Sequence, residues 1–231
     1  MKLFRRTTNQ LKNVSAFQEK LKQINARVEN NLAPQFLTIM HNATRNLQQS
    51  GIGSRVLKKG MPAPDFALSN QDNAVIHASE ILKKGPMAIT FYRGFWCPYC
   101  NADLSNLMNY KQQVDDAGAT MLAISPEQPE YSQKIIATQN LDFDILWDQG
   151  NSIAEAFGLK FTLQEDLKEL YRDKFHINLK KYHGDDEWAL PMPSRFVVDT
   201  DGMIRYAEFN ADYTQRPDPE EMIDVIQKLK R

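Results

Sequence analysis

Apolar positions along this chain change period several times, and each change predicts an element. Over residues 8–30, Leu11, Val14, Phe17, Leu21, Ile24 and Val28 recur at alternating spacings of three and four, the seam of a helix that packs by one face. Asn30, Asn31 and Pro34 break it. A second helix follows over residues 35–49, with Phe36, Ile39, Met40, Ala43 and Leu47 on one side and Ser50-Gly51 at its end, where glycine commonly closes a helix. The pair predicts a helical hairpin: a cap packed on its own domain, a contact between two copies of the chain, or a wall over a functional site. His41 on this hairpin reads as a surface or packing histidine.

From Gly60 onward the pattern becomes strand and helix in alternation. Residues 62–68, with Pro62 and Pro64, predict an edge-type segment, because proline cannot donate to a central ladder. Residues 86–92 and 119–125 are apolar, β-branched and aromatic runs that suit buried strands. Between them, residues 101–114 place Leu104, Leu107, Met108 and the stem of Lys111 on one helical face. A helix at 130–139, a strand at 143–147 and a short helix at 152–157 stopped by Gly158 come next. Residues 164–192 read as a polar, partly helical insertion, and residues 195–207 as a β-hairpin turning at Thr200-Asp201-Gly202. The last helix opens at Pro217-Asp218-Pro219-Glu220-Glu221 and ends in Lys228, Lys230 and Arg231, charges placed as the helix dipole favours. Alternation first and a hairpin and helix last predict an α/β fold, a mixed central sheet with helices on both faces. The expected organisation is a helical extension over 1–55 and one α/β domain over 56–231.

Composition narrows the function classes. With 28 basic and 29 acidic side chains in 231 residues, the net charge of -1 predicts no nucleic-acid and no membrane-surface partner. No apolar run approaches the roughly 20 residues of a membrane span, and the first residues lack the apolar core of a signal peptide, so a cytoplasmic setting is expected. The absence of any acid before Glu19 keeps an organellar transit peptide as the lesser alternative.

The two cysteines of the chain stand three positions apart, in Trp96-Cys97-Pro98-Tyr99-Cys100, where a predicted strand ends and a predicted helix begins. With Cys97 as N-cap, Pro98 falls at the first helical position, where its missing N–H costs nothing. Cys97 then faces the unsatisfied N–H groups of the helix, which favour the thiolate, the reactive form. Cys100 lies one turn inward, close enough to close a short disulfide. Such a bridge encloses almost no chain and stabilises a fold little, so a redox pair is the better reading than an inert one. A zinc site would need two further ligands, and His176 and His183 fall outside the usual spacing; no metal and no organic cofactor is expected.

On Pro62-Ala63-Pro64-Asp65-Phe66, Phe91-Tyr92, Ala123-Ile124-Ser125-Pro126-Glu127, Leu146-Trp147-Asp148 with Ala156-Phe157-Gly158, and Phe196-Val197-Val198-Asp199 with Asp201-Gly202, the chain from about Gly60 onward resembles the thioredoxin-like superfamily. More narrowly it resembles the alkyl hydroperoxide reductase and thiol-specific antioxidant branch, the peroxiredoxin-like proteins. The resemblance implies a thioredoxin-like fold and a peroxidase. It departs at the site: Arg93 stands in the place of the family's proline, Cys97 in that of its threonine, and Cys100 in that of its peroxidatic cysteine. Pro193 stands where the family carries an arginine, as in thioredoxin-like oxidoreductases whose cis-proline faces the dithiol. Arg93 or Arg195 is then the candidate for the missing cation. The tetrapeptide is that of glutaredoxins, and Trp96 is similar to the tryptophan of thioredoxin.

Two mechanisms follow. In the first, implied by family register, Cys100 attacks a peroxide and the sulfenic acid condenses with Cys97, the disulfide being reduced by a thioredoxin- or glutathione-type partner. In the second, Cys97, expected to be exposed, attacks a substrate disulfide and Cys100 resolves the mixed intermediate. Both use Arg93, Trp96, Tyr99 and Pro193 as substrate-side residues around Cys97 and Cys100. The peroxidase is placed ahead on the extent of the resemblance. A redox sensor that captures a partner on the hairpin is the alternative from another class. Glu127 reads as a solvated carboxylate at a helix start or as a proton acceptor near the dithiol, and Asp185, Asp186 and Glu187 as an acidic loop.

Overall fold

The computed structural model describes residues 15–230; Leu11 and Val14 of the expected first helix lie outside them. Helix α1 (Ala16–Asn31) is capped by Ser15, whose hydroxyl accepts the Gln18 N–H at 3.1 Å. Helix α2 (Pro34–Gln49) begins at Pro34. The proline expected to end one helix thus starts the next, because a first-turn position asks for no N–H.

The body then alternates. Strands β1 (Ala67–Asn70) and β2 (Val75–His77) form a hairpin, followed by α3 (Ala78–Leu82) and the central strand β3 (Met87–Phe91). Helices α4 (Pro98–Leu107) and α5 (Lys111–Asp116) lead to β4 (Thr120–Ser125), α6 (Pro129–Gln139), β5 (Asp144–Trp147) and α7 (Ser152–Ala156). Strand β6 (Lys160–Thr162), α8 (Glu165–Glu169), a π-helical turn at Leu170–Lys174, α9 (Leu179–His183) and β7 (Ala189–Pro191) make up the next region. Strands β8 (Ser194–Val198) and β9 (Ile204–Phe209) and helix α10 (Glu220–Leu229) complete the chain.

Seven strands form one sheet in the order β2-β1-β5-β4-β3-β8-β9, parallel across β3, β4 and β5 and antiparallel elsewhere. The expected mixed α/β sheet with helices on both faces, of thioredoxin-like architecture and preceded by two helices, is what the chain adopts. Every residue of β3 is buried, as a strand between two layers requires. On one face Leu104, Leu107, Val114, Ile223 and Ile226 cover Ala88 and Ala123. On the other, Phe91, Phe157 and Phe196 pack ring against ring at 4.8–6.1 Å.

Three expectations are corrected. The segment at 62–68 is an edge segment only at its start, where Pro62 bridges Met203 and the Ala63 N–H donates to the Gly202 carbonyl at 2.9 Å; from Ala67 it becomes the inner strand β1, and the edge on that side is β2, reached through a turn in which Asn70 Oδ1 accepts the N–H groups of Asp72 and Ala74. The helix expected over 101–114 breaks into α4 and α5 at a 3₁₀ turn, Met108–Tyr110. The region at 164–192 is less polar inside than its composition suggests. Leu163, Leu167, Leu170, Leu179, Trp188 and Leu190 form a core of their own, extended by the pairing of β6 with β7.

The two N-terminal helices do not seal their apolar faces on each other alone. Phe17 and Leu21 of α1 enter the core beside α4, while Phe36, Ile39, Met40 and Ala43 of α2 lie on the separate core of the 163–190 region. His41 is exposed and meets Glu29 at 2.8 Å. No helix of the described residues is long and apolar enough to cross a membrane.

Candidate active site

Strand β3 runs out at Phe91, and Tyr92 adds one more ladder bond to Ile124 at 3.1 Å. The next four residues turn the chain into α4. Gly94 sits at φ +154°, and a Cβ there would lie 2.4 Å from Trp96 Nε1 and 2.6 Å from Glu127 Oε1, so a side chain at this turn has to displace both. Asn101 Nδ2 reaches back to the Phe95 carbonyl at 2.9 Å and fastens the turn to the helix it opens. Cys97 is the N-cap of α4 with Pro98 at its first position, as the spacing predicts.

Both cysteines are free thiols and both are buried, Cys97 at 0% and Cys100 at 1% exposure. The expected exposure of Cys97 is therefore corrected. It borders an apolar cavity of about 330 Å³, open to solvent, whose wall includes Val28 and Leu32 in the second half of α1 and at its end, Met40 of α2, and Phe175 and Ile177. The N-terminal helices supply that wall, one of the roles open to them in the sequence.

Cations, not solvent, surround the sulfurs. Arg93 Nη1 lies 4.0 Å from Cys97 Sγ and Nη2 donates to the Tyr171 hydroxyl at 2.5 Å, while the guanidinium plane rests over the rings of Tyr213 at 4.0 Å and Trp96 at 4.9 Å. Arg216 Nη2 lies 3.8 Å from Cys100 Sγ. Its Nη1 is held by the carbonyls of Tyr213 and Gln215 at 2.7 and 2.8 Å, and its own carbonyl accepts from Gln18 Nε2 of α1 at 2.7 Å.

Burial alone pushes the Cys97 thiol up; a hydrogen bond with Cys100 and the guanidiniums of Arg93 and Arg216 outweigh it and bring the group down to about 6. Burial and the neighbouring Cys97 push Cys100 well above the ordinary thiol range. The two sulfurs are thus split into a thiolate and a thiol at neutral pH. Glu127 is fully buried, not solvated as its helix-start position suggests. Burial raises its carboxyl to about 8 against the pull of the Phe95 N–H.

The other sequence candidates separate. Trp96 packs edge-on against Tyr171 at 5.5 Å beside the cavity. Tyr99 lines the cavity too, but its hydroxyl donates to Asn25 Oδ1 of α1 at 2.6 Å and so ties the first helix to the site. Pro193 is not beside the sulfurs in that cavity. It borders a second one of about 680 Å³, which meets the first at Arg93, Tyr171 and Tyr213, and its peptide bond is trans. Arg195 is occupied elsewhere, paired with buried Asp103 and with Glu208 at 3.2 Å. Of the two candidates, Arg93 is the one whose guanidinium lies beside a sulfur. Arg216, Tyr171 and Tyr213 escaped the sequence reading. Arg216 and Tyr213 lie in a loop with no periodicity, whereas Leu163, Leu167 and Leu170 do mark the helical face beside Tyr171.

The AhpC/TSA family model matches residues 60–207. A protein of Haemophilus influenzae described as "Putative peroxiredoxin bcp" is 32% identical over 125 residues, covering 53% of this chain and 80% of that one. Among solved structures, the peroxidoxin BcpB of Mycobacterium tuberculosis superposes with a TM-score of 0.59 at 19% identity, over 76% of this chain and 99% of that one. A Chlorobium tepidum structure titled "putative Thiol:disulfide interchange protein DsbE" superposes at 0.54 with 18% identity, over the same shares. The fold is common to both chemistries.

Proposed function

The chain belongs to the AhpC/TSA family, and on that premise we propose that Cys97 is the sulfur that attacks peroxide and Cys100 the one that resolves the product. The chain is an oxidoreductase, a thiol-dependent peroxide reductase. The observation that carries the assignment within it is the position of the Arg93 guanidinium, 4.0 Å from Cys97 Sγ at the N-cap of α4. A cation and a helix N-terminus together favour the thiolate on Cys97, whereas family register puts Cys100 in the attacking place.

The Cys97 thiolate attacks the outer oxygen of a hydroperoxide, the O–O bond breaks, and the alkoxide or hydroxide leaves with a proton. Glu127, still protonated near pH 7, is the carboxyl that holds a proton beside this loop. Cys100 then attacks the sulfenic sulfur, water departs, and the Cys97–Cys100 disulfide forms. Two electrons from a thioredoxin- or glutathione-type reductant restore the pair. Trp96 and Tyr99 shape the cavity on the substrate side; Pro193 borders the neighbouring one. A cytoplasmic setting suits a chain with two cysteines and a free dithiol. The helices α1 and α2 contribute to the wall of the site, and the apolar face of α2, only partly buried within the chain, leaves room for a contact with a second copy.

Exchange with substrate disulfides is the second reading, supported by the N-cap position of Cys97 with Cys100 one turn inward. The closed surface of Cys97 restricts it to small disulfides.

Peroxide consumption with thioredoxin and its reductase tests the assignment in the wild type, Cys97→Ser and Cys100→Ser. Cys97→Ser is expected to lose even a single turnover, and Cys100→Ser to retain one that leaves a dimedone-reactive sulfenic acid. The reverse pattern makes Cys100 the attacking sulfur.

A further inference from the structure

Five buried or largely buried charged groups form a set connected through the dithiol, with Arg93 and Arg216 beside the sulfurs. Asp103 pairs through one oxygen with Arg195 and lies 3.3 Å through the other from Arg216; Arg195 also meets Glu208 at 3.2 Å; Arg93 reaches Cys97. Three guanidiniums thus face two carboxylates, an excess of one positive charge. The excess sits on Arg93, which is 2% exposed. The groups acting on it are Tyr171, Cys97, Tyr213 and Cys100, and no carboxylate pairs with it among the described residues. A buried cation without a counter-ion is costly, so this arrangement is balanced only while a sulfur carries a negative charge.

We propose that the Cys97 thiolate is the counter-ion of Arg93, so that closing the Cys97–Cys100 disulfide strands a buried charge and makes the oxidised protein an oxidant of small thiols. The disulfide here destabilises. A pair whose reduced form is held by cations gives its disulfide away readily.

The exchange balances as follows. A thiolate RS⁻ entering the apolar cavity attacks Cys97 Sγ, the sulfur that borders it; the S–S bond breaks and Cys100 leaves as a thiolate 3.8 Å from Arg216, then takes a proton. A second RS⁻ attacks the sulfur of R in the mixed disulfide, releasing RSSR and the Cys97 thiolate beside Arg93. Two thiols are oxidised and the protein gains two electrons. The cavity of about 330 Å³ admits a small thiol and the closed surface of Cys97 excludes a folded one, so the class is low-molecular-weight monothiols. In a cycle driven by peroxide the net reaction is hydroperoxide plus two RSH giving alcohol, water and RSSR. That cycle rests on the peroxidase assignment; the poise of the dithiol does not.

The test equilibrates wild-type protein in glutathione redox buffers beside thioredoxin as a standard, with alkylation and mass spectrometry reading the reduced fraction. Thermal melts of the fully reduced and fully oxidised forms accompany it. The reduced form is expected to melt higher. Wild-type protein should stay reduced in buffers that oxidise thioredoxin, and Arg93→Gln should shift its equilibrium toward the disulfide by roughly tenfold or more. If the oxidised form melts at or above the reduced form, or the wild type is oxidised alongside thioredoxin, the inference is overturned. Those wild-type readings decide the matter even if Arg93→Gln fails to fold. Absence of peroxide turnover with an oxidising dithiol would remove the peroxidase assignment and leave this one standing.

Discussion

The carboxylate of Glu127 accepts a 2.7 Å hydrogen bond from the N–H of Phe95, two residues before Cys97, while its second oxygen is buried with no partner. Half of this carboxyl is thus satisfied by the loop that carries the dithiol, and half is not. An ionised form with an unpartnered oxygen is disfavoured away from water, which is why the group keeps its proton to about pH 8.

Glu127→Gln is expected to change how stability depends on pH. The folded-state value lies above the ordinary 4.5, so the contribution of the neutral carboxyl is full below 4.5 and is lost as pH rises through about 8. The amide keeps an acceptor for Phe95 and does not ionise. Denaturant titrations at pH 5 and pH 8.5 should show wild type falling relative to the variant by a few kcal/mol, on the order set by such a shift. Parallel slopes would mean that Glu127 ionises normally.

The thiol of Cys97 has the opposite sign. Its folded value of about 6 lies below the ordinary 9.0, so the stabilisation of the thiolate is complete above 9.0 and disappears as pH falls through 6. Iodoacetamide modification of reduced Cys100→Ser protein should rise with pH as the Cys97 thiolate forms. Because a hydrogen bond with Cys100 also lowers Cys97, the midpoint in this variant should sit above 6, and Arg93→Gln should move it further up.

Asp103 is the anion shared by Arg195 and Arg216 in the core. Asp103→Ala leaves both cations short of a partner and is expected to cost roughly 3–5 kcal/mol in a denaturant melt. Asp115→Ala, which removes a partly exposed i,i+4 partner of Lys111, should cost under about 1 kcal/mol. Equal losses would show that the buried set is not electrostatically coupled.

Gly94→Ala places a methyl where Trp96 Nε1 and Glu127 Oε1 now sit. The protein should fold, since the clash is with side chains that can swing, but peroxide turnover should fall at least about tenfold as both are displaced from the loop. Trp96 fluorescence in the reduced state reports the displacement directly; an unchanged spectrum with unchanged turnover would refute it.

How much of this was legible in the chain depends on the range of the interaction. The passage from Met87 through Leu107 is written locally: an apolar run, a glycine, then a cysteine before a proline at the first helical position. Its geometry follows from neighbours in sequence. The cavity beside Cys97 does not, because Val28, Leu32 and Met40, more than fifty residues away, help to line it. Glu127 carries the local marks of a solvated helix start, and only the Phe95 loop folding over it reverses that. Arg216 lies in a non-repeating loop, and nothing in the spacing around it points to a sulfur 116 positions earlier. Pro34 shows the converse, a residue with two local meanings, since it follows the end of α1 and also opens α2.

One tie reaches beyond the chemistry of the dithiol. Gln18 and Ser15 at the start of α1 hold the loop of Arg216 through its backbone carbonyl and through Asp218, and Tyr99 holds Asn25. Anything that lodges between Met40 and Trp96 touches both the leading helices and the body, and so fastens one to the other. Protease resistance and slow amide exchange in α1 and α2 therefore become a gauge of occupancy, readable without a turnover assay.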